Sequence, residues 1–205
     1  MISKTKISFE FHKWRKQLLF ADKIISIIIL ILLGIIRPDL LMMSVYILLF
    51  PYLYLTQRKD AFNHLAVSSL IALVWVVYAN NNYNYNFETF KIFGLNSYVL
   101  FSFAVGLFTG YIIYSHWEHK IKEKKWYQKL MLFVLIYWPL LILVETLAYY
   151  LFNIHNVSAG IYAGLPLCNC MHAPAWMQIS YFLIGPIYFV ICELLGFENP
   201  HYKRK

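Results

Sequence analysis

Residues 130–152 read LMLFVLIYWPLLILVETLAYYLF, an apolar run broken by one charged side chain, Glu145. As a helix rising 1.5 Å per residue, a run of this length is about 35 Å long, enough to cross a hydrocarbon core of about 30 Å. It follows a basic stretch with Lys120, Lys122, Lys124, Lys125 and Lys129. A long apolar run beside a lysine-rich loop reads as a transmembrane helix and sets the fold class.

The same reading outward predicts six spans: Leu18–Ile36, Leu40–Leu55, Ala61–Ala79, Leu95–Ser115, Leu130–Phe152 and Trp176–Leu195. The expected fold is an all-α integral membrane bundle in a single domain over residues 1–205. The chain is 60% hydrophobic and 14% charged, against roughly 25% charged in an average soluble domain. The first apolar run follows a polar lead and no small-residue cleavage site comes after it, so it is expected to stay as an anchor.

Charge sorting supports the six-span count. Lys4, Lys6, Lys13, Arg15, Lys16 and Lys23 precede or edge the first span, Arg58 and Lys59 follow the second, and Lys203, Arg204 and Lys205 end the chain. With the lysines before residue 130, all of these fall on one side, and only Arg37 and Lys91 fall on the other. The positive-inside rule then puts both termini in the cytoplasm. The net charge of +8 fits basic loops against an anionic leaflet and does not call for nucleic acid. Ile-, Asn- and Lys-rich usage suggests a bacterial chain, hence the plasma (inner) membrane.

Two long loops are expected on the outer face. One is Asn80–Gly94, with the low-complexity stretch Asn82-Tyr83-Asn84-Tyr85-Asn86; the other is Asn153–Ala175, apolar and without Lys, Arg, Asp or Glu, expected to fold back on the bundle. Pro139, and Gly185 with Pro186, interrupt the fifth and sixth spans and are expected to bend them beside a cavity.

Three constellations carry candidate chemistry. Glu145 lies inside a span, where a charge costs about 2.5–3.5 kcal/mol on insertion scales and faces a cavity or a partner. Apolar surroundings favour a neutral carboxyl group, which makes Glu145 the candidate catalytic acid; the alternative is a packing hydrogen bond, for instance from Thr146. Tyr149, Tyr150, Tyr162 and Tyr181 are candidate lipid-binding rings that steady positive charge through their faces. Cys168, Cys170 and His172 form a soft-metal ligand set, although Cys-x-Cys is short for zinc, and the same cysteines are close enough for a mutual disulfide or serve as small buried residues. On the inner side, His64, His116, Glu118 and His119 offer a metal or acid–base site, or simply interfacial side chains.

The stretch NYNYNFETFKIFGLNSYVLFSFAVGLFTGYIIY, Asn82–Tyr114, resembles one repeat of the membrane-embedded carotenoid (lycopene) cyclase family. Phe93-Gly94-Leu95 matches that family's glycine-containing entry, and Tyr98, Phe101 and Phe103 match its aromatic helix. Gly164-Leu165-Pro166-Leu167 looks like the entry a second time. The family's paired acids are replaced by Asn96 and Ser97 in the first entry, and Cys168, Asn169 and Cys170 follow the second, so no catalytic role carries over at those positions. The resemblance implies an apolar isoprenoid or carotenoid ligand in an aromatic pocket. A second expectation, of a different class, is a non-catalytic subunit or assembly factor with a membrane protein partner docked on the 153–175 loop.

Overall fold

The computed structural model describes residues 24, 31–58, 60–118 and 125–200. Among these, five helices are long and apolar enough to cross a membrane: α1 (Pro38–Leu55), α2 (Asp60–Ala79), α3 (Ser97–Glu118), α4 (Trp126–Tyr150) and α5 (Ala175–Leu194). They match the second to sixth expected spans to within four residues at each end. The protein is an all-α, multi-pass membrane bundle. Most of the first expected span, with His119, Lys59 and the basic termini, lies outside the described residues; 31–36 is helical and closes on α1 and on the chain just past α4, since a Cβ on Gly34 would sit 3.2 Å from both Leu41 and Phe152.

Helices are the form lipid demands, because each pairs its own backbone groups. α3 is the central post and touches every other long helix. Small buried residues at Ala104 and Gly110 sit at that contact, and a Cβ on Gly110 would meet the Tyr137 ring at 3.5 Å. Around its lower half, Tyr111, Tyr114, Phe133, Tyr188 and Phe189 form a buried aromatic layer, with Phe133 stacked on Phe189 at 5.1 Å. Apolar side chains such as Leu48, Val74 and Leu135 point outward, as lipid-facing positions should.

The break at Pro186 is satisfied across helices. Pro186 has no N–H, so the carbonyl of Phe182 loses its helical partner. The Trp138 indole donates to that carbonyl from α4 at 3.1 Å, and the Tyr137 hydroxyl donates to the neighbouring Tyr181 carbonyl at 2.9 Å. Gly185 makes room for this, because a Cβ there would overlap the Tyr137 ring.

At the inner end, defined by Arg58, Lys125 and Lys129, Lys129 pairs with Glu118 at 2.9 Å and Glu193 at 3.5 Å, linking α3, α4 and α5. Glu193 therefore takes part in an ion triad. Gly196, with φ of +67°, ends α5 in the left-handed cap geometry that favours glycine. The chain then lays Phe197 against His64, whose Nε2 meets the Glu198 carbonyl at 3.0 Å. His116 is exposed while Glu118 and His64 are buried with other partners, so the expected inner metal site is not assembled among the described residues.

At the outer end, Arg37 breaks the helix before Pro38 starts α1. Its guanidinium holds the fully buried Asp39 carboxylate at 3.0 and 2.9 Å, and the Phe90 backbone N–H donates to the same carboxylate at 2.9 Å. This clasp ties the outer loop to α1, and the negative charge also suits a helix N-terminus. Two substitutions test the account in detergent-purified protein. Asp39→Ala strands one buried donor and should cost about 2 kcal/mol in unfolding free energy. Gly185→Ala, by displacing Tyr137, should also cost about 2 kcal/mol. Denaturant-midpoint shifts measure both, and unchanged midpoints would contradict the contacts described.

Candidate functional site

The outer loops are zipped together by asparagine. In Asn82-Tyr83-Asn84-Tyr85-Asn86 the chain is extended after a short 3₁₀ turn at Asn80–Asn82, so alternate side chains point opposite ways. The asparagines meet the second loop. Asn86 exchanges hydrogen bonds with His155 at 3.1 Å each way and donates to the Asn153 carbonyl at 2.8 Å. Val157 N–H donates to the Asn84 carbonyl at 2.7 Å, and the Asn156 side chain donates to the Asn82 carbonyl. The tyrosines point inward and stack, with ring centroids 6.0 Å apart. A stretch read as low complexity pairs with the second loop through the backbone carbonyls of Asn82 and Asn84 and the side chain of Asn86, while its tyrosine rings stack on the bundle.

Next, β1 (Lys91–Ile92) and β2 (Leu95–Asn96) form a two-residue hairpin over Phe93-Gly94, both at positive φ. Asn96 then caps α3, accepting from Val99 N–H at 3.2 Å. This start aims Tyr98 and Ser102, one turn apart, across the bundle at α4.

Facing them on α4 are Tyr137, Leu141, Glu145 and Ala148, whose spacing of three to four residues puts them on one face. Between the two walls is a cavity of about 320 Å³, roofed by Tyr85 and Ile154 and closed on one side by Tyr181. It is mainly apolar and aromatic, and among the described residues Glu145 is the one carboxyl group that lines it. Tyr85 meets Tyr98 edge to face at 5.1 Å. The Trp75 indole donates to the Tyr83 hydroxyl at 2.7 Å, and that hydroxyl is 2.9 Å from the Tyr181 hydroxyl. These bonds fix the rings before any ligand arrives. Burial pushes the Tyr83 and Tyr85 hydroxyls up from their ordinary range, so both remain neutral.

Glu145 shares the wall of this cavity with Tyr85, Tyr98, Tyr137 and Tyr181. No hydrogen bond or ion pair to its carboxylate is present among the described residues. The Thr146 hydroxyl donates instead to the Ile142 carbonyl at 2.6 Å, which removes the expected packing bond. The Ser102 hydroxyl is buried beside Tyr98, one helical turn away on the same wall.

Of the expected lipid-binding rings, Tyr181 lines this cavity and Tyr149 lines a smaller one behind Glu145. Tyr150 and Tyr162 line neither. The Tyr150 hydroxyl donates to the carbonyls of Cys168 and Asn169, at 3.0 and 3.3 Å, and the Tyr162 carbonyl meets His172 at 2.8 Å, so both serve the loop. Tyr85, Tyr98 and Tyr137 take their places. Tyr85 could be found in the sequence from the alternation of its loop, whereas Tyr98 and Tyr137 could not, because helix rotation decides what they face.

The 153–175 loop folds back on the bundle as expected. Cys168 and Cys170 are joined as a disulfide, with Cα atoms 5.1 Å apart. The two sulfurs therefore offer no thiolate, and both ring nitrogens of His172 face carbonyls, of Tyr162 at 2.8 Å and Asn169 at 2.9 Å. The metal reading of Cys168, Cys170 and His172 has no ligand set in this arrangement, and no group of three or more candidate metal ligands occurs among the described residues. Gly164 permits the turn, since a Cβ there would come within 2.8 Å of the Asn169 backbone. Gln178, a polar residue missed in the sequence, ties α5 to the loop through the carbonyls of Ala163, Met171 and Ala173 at 2.8, 3.1 and 3.0 Å.

The disulfide predicts a labelling pattern. In unfolded, unreduced protein only Cys192 should take an alkylating reagent, and reduction should expose Cys168 and Cys170 together. Three labelled cysteines without reduction, read by peptide mass spectrometry, would refute the bond. No family model, curated protein or solved structure matches the chain.

Proposed function

We propose that this protein binds the end of a long apolar isoprenoid, of carotenoid type, in the cavity beside Glu145, and acts on it as a cyclase-like acid catalyst. The observation that carries the reading is one carboxyl group in an otherwise apolar, tyrosine-lined cavity inside the membrane. Its volume of about 320 Å³ suits a chain end rather than a whole chain. Such a ligand reaches the site from the bilayer. The resemblance of 82–114 to the carotenoid cyclase family points the same way, with the acid supplied from α4 in place of the missing pair.

The chemistry needs no oxidant. The Glu145 O–H protonates a terminal C=C bond and leaves a carbocation at the more substituted carbon. A second C=C bond attacks it and closes a ring. The shifted cation then loses a proton to the carboxylate, which regenerates the acid. The faces of Tyr85, Tyr98, Tyr137 and Tyr181 stabilise the cation without themselves reacting.

The alternative of a non-catalytic subunit or assembly factor draws support from the exposed apolar tips at the outer end. Phe93 is 100% exposed, Leu167 86% and Ile161 77%. Mass spectrometry of protein purified in mild detergent separates the two. A stoichiometric isoprenoid supports the pocket, while a stoichiometric protein chain without one supports the subunit. With the ligand identified, Glu145→Gln should still bind it, and product formation should fall by at least about 100-fold. Unchanged products from a properly inserted variant would sink the catalytic reading.

A further inference from the structure

Glu145 lines two cavities, not one. Behind it, toward the outer surface, is a second space of about 50 Å³ that shares Tyr85, Glu145, Ile154 and Tyr181 with the first. The two differ in chemistry. The larger is mostly apolar, whereas the smaller is lined by Tyr149, His155, Asn156 and His172 as well as by Tyr83. A water molecule needs about 10–15 Å³ of such space and two to four polar partners, so the smaller cavity is roomy and polar enough to hold water. The larger, except at Glu145 and the tyrosine hydroxyls, is the kind of space that stays dry.

The walls of the small cavity lead outward. Tyr149 follows Glu145 by four residues and shares its helix face. Its ring lies 5.8 Å from that of His155 and 5.1 Å from that of His172, and both histidines are partly exposed on the outer loops. The His172 nitrogens face two carbonyl oxygens, and a neutral imidazole donates to only one at a time. The titratable groups that line the two cavities with Glu145 are Tyr83 and Tyr85 from the first loop, Tyr98 from α3, Tyr137 and Tyr149 from α4, Tyr181 from α5, and His155 and His172 from the second loop. Among the described residues, the side toward α1 contributes Met42.

The geometry points to a division of labour around one carboxyl group: the small cavity is an aqueous antechamber through which Glu145 exchanges protons with the outer solution, while the larger cavity takes the apolar ligand. The route as a supply of acid for catalysis rests on the reading above, but the route itself does not. His155 and His172 stand at its mouth as proton carriers, and Tyr83 and Tyr85 of the first loop, with Asn156 and Met171 of the second, form its walls. This gives the meeting of the two loops a task that a purely apolar pocket would not need.

Dicyclohexylcarbodiimide tests the route without any lipid substrate, because it enters membranes and reacts with carboxyl groups only when they are protonated. Wild-type protein is reconstituted in sealed vesicles, and the pH is set separately on each side. A protease site placed beside Gly160 tells which face carries the loops. Labelling of Glu145, followed by peptide mass spectrometry, should rise several-fold when the loop-side solution is acidified and stay unchanged when only the opposite side is. Labelling that follows the opposite side, or neither, overturns the proposal. Ala173→Leu, which fills the small cavity, should slow the loop-side response several-fold, and a response undiminished in that variant also counts against the route. If the pH response holds while no isoprenoid co-purifies, the ligand reading fails and the antechamber stands.

Discussion

Hydrocarbon gives an unpaired N–H or C=O group no water to bond, and the breaks at Pro186, at Arg37 and in the outer loops are arranged around that constraint. Where Pro186 interrupts α5, the Trp138 indole supplies the missing donor. Where the chain leaves helix at the outer end, the loops pair with each other through Asn82, Asn84 and Asn86 rather than with solvent alone. Where a helix must begin beside lipid, Asp39 is held by Arg37 and the Phe90 N–H. The polar side chains of a 60% hydrophobic chain are thus placed where backbone or charge has to be paired.

Against that background Glu145 stands out. The polar groups near it are paired elsewhere: Thr146 to its own helix, Tyr137 to the Tyr181 backbone, and Tyr83 with Trp75 and Tyr181. These bonds stiffen the walls while leaving the carboxyl group open to the cavities. Preorganised walls around an uncommitted acid are what a site for cationic intermediates needs, because the rings then require no reorganisation as charge develops.

The five described spans were legible because each carries a long apolar run ended by charges, prolines or glycines, and lipid leaves such a run only one fold. Glu145 was legible for the same reason, as a charge inside such a run. The partners of Glu145 were harder to see. Tyr150 and Tyr162 carry the right chemistry at the right depth, yet they are turned toward the loop, while Tyr98 and Tyr137 come from helices whose rotation no local pattern records. The asparagine-rich segment shows how a real signal can be overlooked. Its alternation was present in the sequence, but its meaning depends on a second strand-like segment about 70 residues away, His155–Val157.

By itself, then, the sequence determined the solvent, the helices, the sidedness of the charges and the presence of one acid in the membrane, because each of these depends on composition along a single segment. Only the tertiary structure decided which rings face that acid, that Cys168 and Cys170 pair with each other, and that the acid lies between an apolar and a polar cavity. Those features depend on how α3, α4 and α5 are rotated and on how two loops meet. Helix rotation is set by packing between elements, by fits such as Tyr137 against Gly185, and no single segment contains both halves of such a fit.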